Sequence, residues 1–578
     1  MAYKRSHSTY TFIKKEVYMK RLLVIFTFFT SFINAAVLTV GDVSDVNCQF
    51  NEIQDAVNSG NSGMEIRVTN QKVFSSVIID DKDVFSLHGG FSNCLDAANN
   101  QRLEGYSPSQ IDANGSAIGL NIDYDTMVFN TIVISGFDIY GGSPTGVSIR
   151  SSGSTSSLVI LMEETLIHDN EDTGLEITGE FTRVDFQGKI YNQFNEDVES
   201  IWGAGINCYN AIFTIREGSA IFNNTASIGG GLYSDNCSVS IFASGDMNPL
   251  DSLEYGFFNN HAYAYGGGMR FDNSMVYLTG SDTIPVSISH NTTDNTGGGI
   301  YISDNNLVEI VNTRIDGNTA LNRGGGLYML KSSGSPNELR VSQAVDGCNY
   351  AEICSSISYN SVTNNSSTGY GGGALNAYGA NDISISQTLL KGNKAYYGAV
   401  YYGRQNNNLT MEGNLITHSQ KDDTTDPSLS IFYSNTSLVT NINYSTLVAN
   451  NVLRIYNNAD SSNLTFNMSK SIIDDDNDAE IFIPPNQSGA NINCSIVHND
   501  SASALYDADT MIGSANLISS ANYKLSLSSI AIDRICTENP VPQFEDIRGY
   551  DRMTDGVTDI GAYEFIESDD VIFRNGYD

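Results

Sequence analysis

Short runs of alternating apolar and polar residues recur along this chain. Ile383-Ser384-Ile385-Ser386-Gln387 is the clearest, and its period of two is that of a half-buried strand. A second apolar element follows at once, Leu390-x-x-Asn393. The same order recurs in Val308, Ile310 and Ile315-x-x-Asn318, in Ile442, Tyr444 and Leu447-x-x-Asn450, and in Ile492, Cys494 and Ile496-x-x-Asn499. Val159 and Leu161 stand likewise before Ile167-x-x-Asn170. Six times the apolar-x-x-Asn element leads into a glycine cluster or its remnant: Asn224 into 229–231, Asn260 into 266–268, Asn291 into 297–299, Asn318 into 324–326, Asn360 into 371–373, and Asn393 into Gly398-Ala399.

Each unit therefore reads as strand, bend, second short strand, Asn turn, glycine cluster and third strand. Three strands and three turns close one coil of a β-helix, and stacked coils pair at about 4.8 Å, the ordinary strand spacing. The fold expected is all-β, a right-handed parallel β-helix. At the turn, Asn tolerates the left-handed backbone region and can ladder with the Asn of the next coil. The glycines supply backbone freedom where a Cβ would clash. They are not a phosphate-binding loop, because no helix follows and no Lys-Ser/Thr closes the motif. Asn-to-Asn spacings run from 27 to 57, so long insertions such as 331–356 should bulge out as loops, where binding function would reside. Residues 50–57 place apolar positions at helical spacing, with Asn51 as an N-cap, and read as a short helix capping the first coil. The expected order is 36–100 cap and first coils, 101–500 repeats, 501–566 closing segment and 567–578 acidic tail.

Composition supports this reading. Gly (52) and Tyr (31) are abundant and Pro (10) and Trp (1) scarce in 578 residues, which suits many short strands. A solenoid also explains the length, since each coil contacts only its neighbours. Residues 1–35 look like a secretory signal: Lys20-Arg21, an apolar run over 22–32, and cleavage expected between Ala35 and Ala36, with Met19 as the candidate start. Beyond it no apolar run is long enough to span a bilayer. Removing residues 1–35 deepens the net charge from −36 to −41, since they hold six basic residues and one acidic residue. Such a surface excludes nucleic acid and opposes polyanions. All eight Cys follow the signal, which predicts disulfides. Cys348 and Cys354 share one polar loop, Cys48–Cys94 would clip the cap, and Cys208–Cys237 would tie neighbouring coils. Cys494 alternates with Ile492 and is expected as an inward-facing thiol.

The Ile/Phe-x-x-Asn and Gly-Gly-Gly-apolar pairing resembles the repeat of polymorphic outer membrane proteins, whose Phe-x-x-Asn and Gly-Gly-Ala-apolar tetrads lie on a right-handed parallel β-helix. The likeness covers residues 221–400 best, and only Gly372-Gly373-Ala374-Leu375 has the family's own form. Ala531-Ile532-Asp533, Asp546-Ile547-Arg548-Gly549, Arg552 and Asp559-Ile560-Gly561-Ala562-Tyr563-Glu564 resemble the closing segment of bacterial exported β-helix proteins of the choice-of-anchor type. These resemblances imply an exported or surface-displayed protein of a Gram-negative bacterium. The membrane barrel of the family's autotransporters has no counterpart after Phe565.

Catalytic signatures of polysaccharide-acting β-helices do not match. Asp80-Asp81 is present, but the Gly-His-Gly, Arg-Ile-Lys, Asp-Pro-His-Asp and Arg-x-Pro-x-x-Arg elements are missing. His168, His290 and His498 sit one or two residues before the turn Asn and read as solvent-facing. Glu163-Glu164 is a carboxylate pair of the kind acid–base chemistry uses, but an acidic chain yields such pairs by chance. Asp474, Asp476 and Asp478 resemble the start of a calcium loop but lack its Gly and closing Glu, leaving loose Ca²⁺ binding as the one metal expectation. Tyr396-Tyr397 and Tyr401-Tyr402 form either a sugar-stacking strip or inward packing.

The sequence reading is thus a monomeric exported β-helix without a recognised catalytic site or cofactor, presenting loops to a surface glycan or protein ligand. A carbohydrate-active enzyme and a structural surface module are the other two readings. Basic residues aligned with acids on successive coils would favour the enzyme. A flat Tyr/Asn-striped face would favour binding.

Overall fold

The computed structural model describes residues between Val37 and Phe565, apart from 60–62, 82–83, 116, 126–129, 153–157, 195–201, 244–255, 282–283, 344–354, 364–370, 422–431, 435–437, 449–454, 458–463, 475–489, 499–506, 519–522, 534–535, 537–544, 549, 551 and 553–557. The signal-like 1–35, the tail 567–578, Cys348, Cys354, Asn450, Asn499, Asp476 and Asp478 lie outside the described residues.

The chain is a parallel β-helix; among the described residues its three long sheets have 30, 13 and 7 strands. Among the same residues one antiparallel pair, Leu517–Ile518 with Lys524–Leu525, stands apart. One coil runs through strands Ile212–Ile215, Ala220–Phe222, Thr225–Ile228 and Leu232–Asp235, then returns at Ser238–Ala243. The first two belong to one bent sheet, so that sheet carries two ladders. The 7-stranded sheet adds a short strand between the turn Asn and the glycines. A right-handed sense is the one twisted strands impose on parallel crossovers.

The apolar residue of the apolar-x-x-Asn elements from Ile167 to Leu447 faces inward, and coils whose turn lacks the Asn keep the same row. In the last element the expected Ile496 instead lies in the outward row and Val497 takes the inward place. Pairing runs Ile190, Ile221, Phe257, Ile288, Ile315, Ile357, Leu390, Ile416, Leu447, Ile473 and Val497, one per coil. All are at most 1 % exposed and belong to one core reaching back to Val40. The turn Asn side chains are buried beside them and form a ladder. Asn224 Nδ2 donates to Asn260 Oδ1 (2.9 Å), Asn260 to Asn291 (3.0 Å), Asn291 to Asn318 (3.0 Å), Asn318 to Asn360 (3.0 Å) and Asn360 to Asn393 (3.1 Å). Gln193 takes the next rung, accepting from Asn170 N and donating N to Asn224.

The backbone assignment of that turn needs correction. The left-handed residue is the one before the Asn: Asn223 (φ 55°), Asn259 (54°), His290 (54°) and Tyr359 (53°). The Asn is free of that strain and serves the ladder. The glycines act as expected. Gly229 has φ 65°, and a Cβ on Gly231 would lie 2.6 Å from Gly268 O on the next coil.

At the N-terminal end the helix Ile53–Ser59 buries Ile53, Ala56 and Val57 over the first coil. It starts later than the spacing suggested, and Asn51 instead accepts from Lys72 Nζ (3.1 Å). The bonds Cys48–Cys94 and Cys208–Cys237 form as expected. Cys494 does not carry a free thiol: it is bonded to Cys536, because the closing segment folds back along the stack rather than continuing it. Gln387 Nε2 donates to Asp546 O (2.9 Å), Gly561 N to Lys470 O (2.9 Å) and Ala562 N to Thr446 Oγ1 (3.0 Å). Asp546 holds the segment together, accepting from Arg548 N, Tyr550 N and Glu564 N and pairing with the Arg548 guanidinium. Arg552 is fully buried over the Tyr444 ring. Among the described residues, no helix is long and apolar enough to cross a membrane.

Candidate functional site

The glycine-and-Asn scaffold is interrupted in the first coils, and the interruption makes a cleft. After the five-residue helix Cys94–Ala98, capped by Asn93, the chain at 99–108 folds over the outer side of the bent sheet. Four strands present one register row beneath it: Arg67 pairs with His88, His88 with Ser135, and Ser135 with Glu163. The strand Leu158–His168 bulges between Met162 and Thr165, and Glu164 sits there with φ 49°. That bulge turns two consecutive carboxylates toward one space, where a regular strand would point them to opposite faces. The cavity has a volume of about 380 Å³ and is lined by Glu65, His88, Asn100, Arg102, Ser135, Glu163, Glu164 and Gln187.

Every carboxylate in the cleft has a guanidinium partner. Glu65 meets Arg67 at 2.6 Å, Glu164 meets Arg102 at 2.9 Å, and Glu163 meets Arg216 at 3.1 Å. Arg102 is held from several sides: Nη1 donates to Tyr106 Oη (2.9 Å), Nη2 to Ser135 Oγ (2.8 Å), and its plane lies over the Tyr106 and Phe91 rings. Tyr106 donates its hydroxyl to Glu164. Burial, and then that hydrogen bond, pushes Tyr106 up to about 12, so it serves as a donor and not as a base. His88 Nδ1 lies 2.8 Å from Ser135 Oγ. Burial holds His88 below its ordinary value; Glu65 pulls the other way, and Arg102 and Arg67 add to the lowering. The imidazole is therefore neutral at pH 7, and an oxygen ligand in the cleft would meet hydrogen-bonding groups with little net charge.

The residues singled out from sequence are placed differently. Glu163 and Glu164 belong to the cleft. Asn170, Asn224, Asn260, Asn291, Asn318, Asn360 and Asn393 are scaffold, 0–2 % exposed. Asp474 accepts from Ser514 Oγ (3.1 Å) and Ala515 N (2.9 Å) and meets His498 Nδ1 at 2.5 Å, so it ties the last coils to the closing segment. His168 is not solvent-facing. It is stacked between Tyr140 and Tyr191, in a column continued by Phe222 and Phe258 at 4.9–5.3 Å centroid spacings, with Asp138 and Asp169 each 2.7 Å from a ring nitrogen. Tyr397, Tyr401 and Tyr402 are buried and Tyr396 is half-buried against them, so that group serves as packing. On the 13-stranded sheet Tyr233, Arg270, Tyr301, Tyr328, Asn376 and Tyr402 form an outward register row. Its Tyr rings are only 1–4 % exposed and Arg270 lies over three rings, so this Tyr/Asn stripe offers no open face.

His88, Arg102 and Ser135 were not anticipated. They come from two separate coils and a loop, with no shared motif. A basic residue aligned with acids on neighbouring coils was the one advance signal, and the row Arg67, His88, Ser135, Glu163 fits it.

No protein-family model and no curated protein matches the chain. Among solved structures it is similar to a pectate lyase, Pel9A, at 11 % identity and a TM-score of 0.18, over 92 % of this chain and 98 % of that one. At that score the likeness adds nothing to the site, and the fold rests on the ladders above.

Proposed function

We propose that this is an exported surface-recognition β-helix that takes a neutral, hydroxyl-rich glycan in the cleft beneath residues 99–108. The observation that carries the reading is the one-to-one pairing of Glu65, Glu163 and Glu164 with Arg67, Arg216 and Arg102. Paired ions keep acceptors and donors available for sugar hydroxyls while cancelling the local field. Among the described residues of the cleft a uronate polymer finds no unpaired cation, and it meets a chain of net charge −36. Export is supported by the signal-like residues 1–35, the disulfides and the resemblance of the repeat to polymorphic outer membrane proteins.

Titration calorimetry on the purified chain tests this. Neutral xylan or glucan fragments should bind, and polygalacturonate fragments should not. Arg102→Ala, which unlocks Tyr106, Ser135 and Glu164 together, should weaken binding at least tenfold, about 1.4 kcal/mol. Equal affinity for polygalacturonate would refute the neutral-ligand assignment. A carbohydrate-active enzyme is the second reading, favoured by the row Arg67, His88, Ser135 and Glu163 on neighbouring coils and by the contact of His88 with Ser135.

A further inference from the structure

We propose that the cleft hydrolyses an O-acyl ester carried by its carbohydrate, with Ser135 as nucleophile and His88 as the base. The proposal rests on the glycan reading for the alcohol half of the ester, and on independent geometry for the chemistry.

Ser135 Oγ and His88 Nδ1 are 2.8 Å apart, the separation at which a hydroxyl passes its proton to an imidazole. With Nδ1 as acceptor, the ring proton sits on Nε2. Burial keeps His88 in the neutral form a base requires. Once charged, the imidazolium would be favoured by Glu65 and Glu163 and opposed by Arg102 and Arg67, the four charged groups that bear on it. Ser135 ends its strand at the cavity wall, and its Oγ also accepts from Arg102 Nη2 at 2.8 Å. A guanidinium beside the nucleophile is also beside the carbonyl oxygen of a bound ester. There it would donate to the negative charge that develops. Tyr106, Glu164 and Phe91 hold Arg102 in place before substrate arrives.

The steps balance without a cofactor. Ser135 Oγ–H gives its proton to His88 Nδ1 as Oγ bonds to the acyl carbon, and the carbonyl π pair moves to oxygen facing Arg102. Collapse re-forms the carbonyl and breaks the bond to the sugar oxygen, which takes the proton from His88. A water then gives a proton to His88 and attacks the acyl-serine. The carboxylic acid departs, and Ser135 regains the proton. The net reaction is ester plus water to alcohol plus acid. Glycosidic cleavage fits less well, since it needs a protonated carboxyl. Glu163 and Glu164 are each paired with a guanidinium, at 3.1 and 2.9 Å, so neither presents a free carboxyl to a glycosidic oxygen.

The test combines three measurements on the full purified chain. Acetate release is followed from 4-nitrophenyl acetate and acetylated xylan. A fluorophosphonate probe is added and its site of attachment read by peptide mass spectrometry. Binding of deacetylated xylan is measured by calorimetry. Acetate release with the adduct on Ser135, and a loss of at least ~100-fold in Ser135→Ala and His88→Gln, is the expected result. Both variants are checked by thermal melt, and the adduct on the unsubstituted chain does not depend on their folding. Xylan binding with neither acetate release nor an adduct overturns the ester chemistry and leaves the glycan reading standing. Acetate release with a Ser135 adduct but no xylan binding overturns the glycan reading and keeps the ester chemistry. An adduct on another residue overturns the assignment of Ser135.

Discussion

Asn318 is fully buried, and its amide is used on both sides. Oδ1 accepts from the backbone N and the Nδ2 of Asn291, at 2.9 and 3.0 Å, while Nδ2 donates to Ile288 O and Asn360 Oδ1. Asn318→Ala removes the acceptor of the Asn291 backbone N and one bond each from Asn291 Nδ2, Ile288 O and Asn360 Oδ1, although Asn291 Nδ2 keeps Phe257 O and Asn360 Oδ1 keeps the Asn318 backbone N. It should cost about 1–3 kcal/mol or more in urea titration, since each unsatisfied buried group is penalised. Asn318→Asp should be worse than Ala, because an acceptor would face Ile288 O and Asn360 Oδ1 and carry charge. Equal stability of the two variants would mean the rung is not donating. His168 gives a pH prediction. Burial opposes its charge, but the hydrogen bonds to Asp138 and Asp169, with their fields, raise its pKa above the ordinary value. A group raised on folding stabilises fully below its unfolded pKa, about 6.5, and loses that contribution as pH rises through the folded value. The stability gap between the unsubstituted chain and His168→Gln should therefore shrink from pH 6 upward in thermal melts. A gap that widens over that range would reverse the sign of the linkage.

The closing segment covers an outward row that a free sheet face would leave exposed. Leu415, Thr446, Ile472 and Ile496 pair in that row, and all are at most 1 % exposed. Ile547, Ala562 and Tyr563 pack on Leu415, and Ile560 joins the cluster of Ile472 and Ile496. A chain truncated before Glu545 should lose several kcal/mol, at roughly 1.5–3 kcal/mol for each large apolar side chain uncovered, and should bind a hydrophobic dye. An unchanged urea midpoint would show that the segment contributes no cover. The same region marks where sequence reading stopped. The inward row and the Asn ladder were legible because the scaffold repeats Ile-x-x-Asn and thereby repeats its own evidence. A second ladder, Asn306 to Asn337 to Asn381 to Asn407, was missed although each Asn stands two and four residues before inward apolar residues (Val308 and Ile310, Leu339 and Val341, Ile383 and Ile385, Leu409 and Met411), because the alternating runs were read only from their first apolar residue. The Cys494–Cys536 bond was missed because only the fold-back of the segment brings the two together. The cleft was illegible for a related reason. Glu163-Glu164 is ordinary in an acidic chain until a bulge and residues 99–108 gather His88, Arg102 and Ser135 around it.

At the scale of the molecule, stability should be local in a way a globular domain's is not. Each coil pairs with its two neighbours, and the large sheets run the length of the stack without crossing over one another. Ile315 is fully buried between Ile288 above and Ile357 below. Replacing it with Asp puts a carboxylate into the apolar core, where the described neighbours in its row are aliphatic. The expected loss is about 4 kcal/mol or more, the range of a buried unpaired charge. In a single cooperative core that loss would lower amide protection everywhere. In a stack of nearest-neighbour units it should fall on Val286–Ser289, Thr313–Asp316 and Ser356–Ser358. The strands Asn130–Ser135 and Leu158–His168, many coils away and lining the cleft, should keep their exchange rates. Hydrogen exchange with peptide-level mass spectrometry separates the two cases. Uniform loss of protection from Val40 to Val497 would refute the one-dimensional picture. Retained protection in the first coils would mean that the cleft is carried by a part of the stack whose stability does not depend on the middle.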